Sequence, residues 1–415
     1  SDRIPYRYGI PIKNEADLKN FIMKQGDFSS RGNGLYIITN NIKYTGSALN
    51  NSSTGAFNGT LDGDYHSITG LKNALFYQIN GANIKNIIFN DVNIDTSNGN
   101  DNNYSASIVT RTQTGSSTLS RLFLSQANIL SGWDTGYLLG KIMDNSGTVT
   151  ISECSSGGGT LATSDARGRY VSGFVGYTGT NTTANISNSS SVMTSIEGKG
   201  ANMINGLVGG SGSNNIRNVV VASRISGSFD SKSGGIGDKV NLTNAFYDST
   251  LSSNSALAGA TKGTAKATTE LIGTKLQTVF NASSTWIYKD GYYPRLSWIG
   301  DHPISNLFSA TRGAFTSVDG KTTNTEMFNG NISGTIKIPE ELQKNSYSYK
   351  SSNESVLKVT DGGTIIPIGT GNATITITYT EPDETIGGSA SNTYDFTVKQ
   401  KVNALASVSV SGATS

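Results

Sequence analysis

The chain has 415 residues, with 49 Gly, 7 Pro, 1 Cys, 15% charged side chains and a net charge of +2. That balance gives no electrostatic case for nucleic acid or an anionic membrane, and no apolar run is long enough to span a bilayer. One Cys and two His (His66 and His302) exclude a disulfide framework, a cysteine-ligated zinc site and a multi-histidine metal centre.

The length predicts roughly two or three domains. Ser1 in place of an initiating Met reads as a processed or truncated chain, so targeting information is missing rather than negative. Gly, Ser, Thr and Asn make up much of the chain, yet the apolar residues are not scattered. They fall in short β-branched runs between Gly and Asn, the pattern of many short strands and tight turns.

In chain order, a helix is expected near 14–24, with Asn14 as N-cap, Asp17 at the third position and an apolar stripe of Leu18, Phe21 and Ile22. A strand follows at 34–39. An internal repeat then sets the fold. One half is a glycine-bracketed apolar pair: Gly136-Tyr-Leu-Leu-Gly140, Gly173-Phe-Val-Gly176, Gly206-Leu-Val-Gly209 and the degraded Gly234-Gly-Ile-Gly237. The other is an apolar residue with a polar one two positions later. It occurs as Ile84…Asn86, Leu119…Arg121, Ile151…Glu153, Ile186…Asn188, Ile216…Asn218 and Leu242…Asn244, at steps of 35, 32, 35, 30 and 26 residues. A third apolar piece often closes the unit, as at Val92-Asn-Ile94, Ile129-Leu130, 192–196 and Arg224-Ile225.

Each unit has about three short strands, too few to bury a core alone. Stacking the units buries one face of every strand. Gly is expected to supply positive φ where the coil bends, and Asn to tolerate the left-handed conformation while bonding from rung to rung. The fold expected is all-β: a right-handed parallel β-helix of triangular section with short capping helices. A propeller would need regularly spaced two-residue hairpin turns, which are absent. The 14–24 helix would cover one open end. A second helix at 268–280 and the aromatics of 286–298 would close the other.

Beyond about 301 the pattern becomes alternating strands at 334–338, 347–349, 356–359, 364–368, 373–379 and 394–398, which predicts a C-terminal Ig-like β-sandwich. The expected domains are 1–300, 301–402 and a linker or further domain start at 403–415.

Residues 34–42, Phe57-Asn-Gly59, Leu61-Asp-Gly-Asp-Tyr-His66, Ile84-Lys-Asn86, Gly206-Leu-Val-Gly209 and the ending Asp290-Gly-Tyr-Tyr-Pro-Arg-Leu296 together resemble bacterial surface β-helices of the GLUG-repeat type. Ser351-Ser-Asn-Glu-Ser-Val-Leu-Lys-Val359 and 362–376 resemble the bacterial immunoglobulin-like domain of group 2. Both resemblances imply an extracellular protein, secreted or on the bacterial surface, often an adhesin. Neither fixes a ligand.

Asp62, Asp64 and His66 offer carboxylates beside a base, but Asp62-Gly63 is turn chemistry with Tyr65 and Ile68 expected inward. The 95–101 loop is oxygen-rich without the spacing of a calcium loop. Asp91, Asp165, Arg167 and Arg169 are the candidates for a β-helix polysaccharide lyase or hydrolase, the alternative function, with nothing showing that they converge. Cys154 reads as a buried, inert thiol. The Thr374, Thr376 and Thr378 row is one strand, not an ice-binding face. The segment 157–170 is longer than neighbouring connections, as a recognition loop on a rigid scaffold would be. In-register stacking would bring Trp133 and Tyr137 beside it. Trp133, Tyr137, Arg167, Arg169 and Tyr170 are therefore the expected ligand contacts, against the plainer reading that Trp133 is core and the loop mere variation. The expectation is a monomeric, non-catalytic adhesin fragment without cofactor or metal. It would bind a host surface protein or glycan through the β-helix, with the Ig-like domain as stalk. A structural segment without a ligand is the third reading.

Overall fold

A computed structural model describes residues 9–97, 105–164, 169–281, 284–309 and 346–400, together with 317–318, 321–322, 326–329, 336–337 and 342. These fall into two compact units, one within 1–311 and 378–392, the other within 312–377 and 393–415. The expected segment 403–415 lies outside the described residues.

The first unit is a parallel β-helix of three sheets. In the first and longest sheet, Leu61, Ile84, Leu119, Ile151, Ile186, Ile216 and Leu242 stand in register on successive strands. From Leu61 to Ile216 none is more than 1% exposed. A second sheet stacks Phe76, Val109, Leu139, Val175 and Val208. A third stacks Ile94, Ile129, Leu161, Ile196 and Ile225. The three columns meet in one continuous core. Each buried Ile, Leu, Val or Phe contributes about 1.5–3 kcal/mol relative to exposure, so no rung is stable by itself and stacking supplies the stability.

The polar residue two places after each first-sheet apolar marks a corner. Asn86, Arg121, Glu153, Asn188, Asn218 and Asn244 all have φ between 46° and 58°. Asn is suited to this left-handed conformation, and its amides also link rungs: Asn218 Nδ2 donates to Asn188 Oδ1 (3.2 Å) and Asn244 Nδ2 to Asn218 Oδ1 (3.3 Å). Where the column carries Arg121 and Glu153, an ion pair at 3.4 Å takes the place of the amides.

The bracket glycines serve a different purpose from the one expected. Gly173 and Gly206 do not have positive φ; they permit close approach of rungs. The amides of Phe174 and Val175 both donate to Leu207 O (2.7 and 3.0 Å), and those of Leu207 and Val208 to Ile236 O (2.9 and 3.0 Å). This draws the backbones so close that a Cβ on Gly173 would lie 2.0 Å from Gly206 O, and one on Gly206 1.9 Å from Gly235 O.

Helix α1 (Glu15–Met23) covers the N-terminal end as expected. Asn14 Oδ1 accepts from Asp17 N, and Asp17 Oδ2 from Lys13 N, both at 2.9 Å. Leu18, Phe21 and Ile22 are fully buried, and Phe21 packs on Phe28, Tyr36, Phe57 and Phe76.

The other end differs from expectation. Residues 268–280 form a 3-10 turn (Thr268–Glu270) and a short helix (Gln277–Phe280), not one helix. Gly273 (φ 64°) interrupts them, its amide donating to Tyr292 O at 3.0 Å. The aromatics do not close the end. Leu271, Phe280, Trp286, Tyr293 and Leu296 form a separate core on Val220, Ala222 and Phe246, whose neighbours Val219, Val221 and Tyr247 face the main core. They are a layer on the outer face of the first sheet. The end itself is met by the preceding segment: Leu257 joins the main core, and Leu257 O, Lys262 O and Thr261 O accept from the amides of Gly235, Ile236 and Val240.

The C-terminal strands form a β-sandwich. One sheet orders strands Glu326–Asn329, Ser389–Gln400, Gly371–Thr380 and Tyr347–Ser351; the other orders Ile336–Lys337, Thr364–Pro367 and Leu357–Val359, with residues 378–392 counted in the first unit. Leu357 and Ile365 of one sheet and Ile375, Ile377, Tyr394 and Phe396 of the other are buried.

Candidate ligand-binding face

Trp133 follows the strand Asn128–Ser131 and is held by its neighbours: its amide donates to Ser131 Oγ (3.0 Å) and its carbonyl accepts from Thr135 Oγ1 (3.0 Å). Thr135 pairs in register with Val171 on the next rung. The same offset sets Arg169 above Trp133, with the guanidinium carbon 3.0 Å from the indole centroid. It also sets Tyr170 above Asp134, whose Oδ1 accepts from Tyr170 N at 2.9 Å. Burial raises the Asp134 carboxyl above its ordinary value, opposed by the Tyr170 amide and by the charges of Lys141 and Arg169. The Tyr170 ring lies 4.9 Å from that of Tyr177, and Lys141 Nζ lies 5.0 Å from the Tyr177 centroid.

Trp133, Arg169 and Tyr170 are thus brought together. Tyr170 is only 7% exposed, so its ring supports the cluster more than it meets solvent. Tyr137 does not belong to this face. It occupies a bracket position facing the core, is fully buried, and its hydroxyl donates to Ala127 O and Gly158 O. Arg167 lies outside the described residues, as does Asp165.

Four further residues extend the face. Gln78, Arg111, Lys141 and Tyr177 stand in register on successive strands of the second sheet. Arg111 Nε donates to Gln78 Oε1 (2.8 Å), and its guanidinium lies 4.7 Å from the Tyr77 centroid. The signal was in the sequence: Lys141 and Tyr177 directly follow the closing glycines of two brackets. Beside Tyr77 opens a cleft of about 440 Å³, whose lining includes Leu49, Asn50, Asn73, Tyr77, Asp95 and Thr110. Asp95 Oδ1 accepts from Ser97 N (3.0 Å) and Oγ (2.6 Å), which holds its carboxyl below its ordinary value.

The other candidates have structural roles. Asp62 Oδ1 accepts from Asp64 N (2.8 Å) and Asn86 Nδ2 (3.1 Å), and Asp64 and Tyr65 are left-handed, so the segment is a turn. Ile68 points inward, but Tyr65 is 43% exposed; its hydroxyl accepts from Arg121 Nη1 at 2.5 Å and its ring lies 5.9 Å from Trp298. Asp91 and Arg169 are engaged apart, Asp91 with Ser389 N (2.9 Å) and Arg169 with Trp133. Cys154 is fully buried, which pushes its thiol up to about 12. Thr374 bonds Asp395, and Thr378 bonds Ser391. Residues 98–101 lie outside the described residues.

Residues 33–122, under a quarter of the chain, match the model of the M26 IgA1-specific metallo-endopeptidase N-terminal region. No curated protein and no solved structure matches. The expectation of a non-enzyme is overturned by this match, which points to a peptidase family through its N-terminal region. Members of that family are secreted or surface proteins, in agreement with an extracellular setting. Among the described residues no helix is long and apolar enough to cross a membrane. The described residues also gather no group of three His, Cys, Asp or Glu able to hold a metal ion, and His66 is the only histidine of the matched stretch. These residues do not fit a metallopeptidase centre, and no catalytic step is assigned to them.

Proposed function

We propose that the chain is the ligand-binding β-helix portion of an extracellular bacterial protein, engaging a host surface protein or glycan through the side that carries Trp133, Arg169, Lys141 and Tyr177. The observation that carries this reading is Arg169 over the Trp133 ring. The two come from different rungs, each two residues before the registered pair of Thr135 and Val171, and Trp, Tyr and Arg are the side chains from which binding hot spots are built. The resemblance to GLUG-repeat surface helices and group 2 immunoglobulin-like domains supports the same setting. The peptidase match adds a context: in a protein of that kind, such a face would hold the macromolecule on which the rest of the protein works. The chain is taken to act as a monomer, with the sandwich as a spacer.

The test is a screen of the chain against glycan and host-protein arrays, repeated with Trp133→Ala and Arg169→Ala. Loss of about 2 kcal/mol of binding in either variant is expected. A hit that both variants retain at full strength would place binding elsewhere.

A further inference from the structure

Resting on that lateral-face reading, we propose that the outer ladder of the second sheet, together with the cleft beside Tyr77, binds an acidic oligosaccharide. Arg111 and Lys141 are partners on adjacent strands, which lie about 4.8 Å apart. Like charges placed directly opposite one another weaken a sheet, and the nearby Asp134 carboxylate offsets the charge of Lys141 in part. Gln78 and Tyr77 orient Arg111, while Tyr177 orients Lys141. The ladder therefore reads amide, cation, cation, aromatic, with the Tyr77 ring beside the first cation. Carboxylate or sulfate groups would meet the two cations, and the apolar faces of sugar rings would meet Tyr77 and Tyr177.

The cleft sets the direction. Its volume of about 440 Å³ lies in the range of ligand sites. Asp95, held ionised by Ser97, repels an acid and accepts from hydroxyls, and Asn50 supplies an amide. The hydroxyl-rich end of the ligand enters the cleft and the acid groups lie along Arg111 and Lys141. A net charge of +2 and two adjacent cations suit a short acidic glycan better than a polyphosphate, which needs many charge contacts.

The experiment uses the full chain with three sets of probes: uronate-bearing oligosaccharides, sulfated oligosaccharides, and their neutral counterparts with an acidic peptide. Binding is measured by calorimetry at two salt concentrations. Expected is binding to the uronate or the sulfated set, weakened by salt, and weakened at least about tenfold in Arg111→Gln/Lys141→Gln. Tyr77→Ala should lose a similar factor while keeping the salt dependence. Each variant must melt with the parent, since all three side chains point away from the core. Binding only to neutral sugars or the acidic peptide, or acidic-sugar binding unchanged in the double variant, overturns this inference while leaving the lateral face standing. If no glycan or host protein binds in a way that Trp133→Ala or Arg169→Ala weakens, both readings fall.

Discussion

At the residue scale, burial sets the behaviour of two side chains outside the proposed face. Cys154 ionises near 9 when unburied and near 12 in the folded chain. Between those values the native state holds a proton that the unfolded chain has lost. Stability from this group is complete below about pH 9 and falls as pH rises, by up to about 1.4 kcal/mol per pH unit. Cys154→Ala should flatten that part of the decline in urea midpoints measured between about pH 8 and 10; equal slopes in parent and variant would refute the assignment. Arg31 is the second case. It is 3% exposed, its Nη1 donates to Phe21 O (2.8 Å) and Ile22 O (3.4 Å) at the end of α1, and its guanidinium lies 5.3–5.6 Å from three Phe rings. Burial lowers its ionisation to about 10. Arg31→Met strands the helix carbonyls and should cost about 2–4 kcal/mol in denaturant unfolding, without altering ligand binding.

At the scale of the element, the repeat was legible and its glycines were misread. The apolar and polar positions of 84–86, 119–121 and their successors recur on every rung, so both column and corner could be read directly. The glycine brackets recur as clearly, but sequence does not distinguish a glycine needed for its φ from one needed for its missing Cβ. Gly206→Ala tests the difference. Its Cβ would strike Gly235 O at 1.9 Å and Val221 Cγ1 at 2.8 Å, so two rungs must part. Gly55→Ala carries a φ of 75° but meets nothing within 4 Å, and should cost only about 1 kcal/mol. Gly206→Ala should cost at least about 3 kcal/mol or fail to fold; similar melting of the two variants would mean that the rungs yield easily. The candidate face was legible in part for the same reason. Register stacking of the repeat sets Trp133 beside the 157–170 connection, and that connection carries Arg169. Tyr137 departs from the face because its bracket position faces inward, and Lys141 and Tyr177 escape the motif because each follows the glycine that closes it.

At the scale of the whole first unit, the β-helix is clad on one side, and one buried carboxylate ties two segments of the cladding to it. Asp248, 1% exposed at the end of the last long first-sheet strand, accepts from Tyr293 OH (2.6 Å), Thr268 Oγ1 (2.7 Å), Thr250 N (2.9 Å) and Leu251 N (3.2 Å). The corner ladder adds two more ties, Asn218 Nδ2 to Phe280 O (3.1 Å) and Asn244 Nδ2 to Val279 O (3.0 Å). The aromatics read as an end plug because nothing in sequence marks Val220 and Phe246 as an outward apolar pair needing cover; only the register of the strand shows which side they take. Two separate cores imply two steps of opening, since a solenoid is stabilised rung by rung and its cladding can leave first. Asp248→Ala removes the shared acceptor of Tyr293 and Thr268, and should loosen the layer by about 2–4 kcal/mol while the main core stays folded. Limited proteolysis should then cut within 268–300, and hydrogen exchange should quicken there while the amides of 184–221 remain protected. Simultaneous loss of protection in both regions would show that the cladding and the rungs are one cooperative body, and that the layer is as necessary to the β-helix as its own columns.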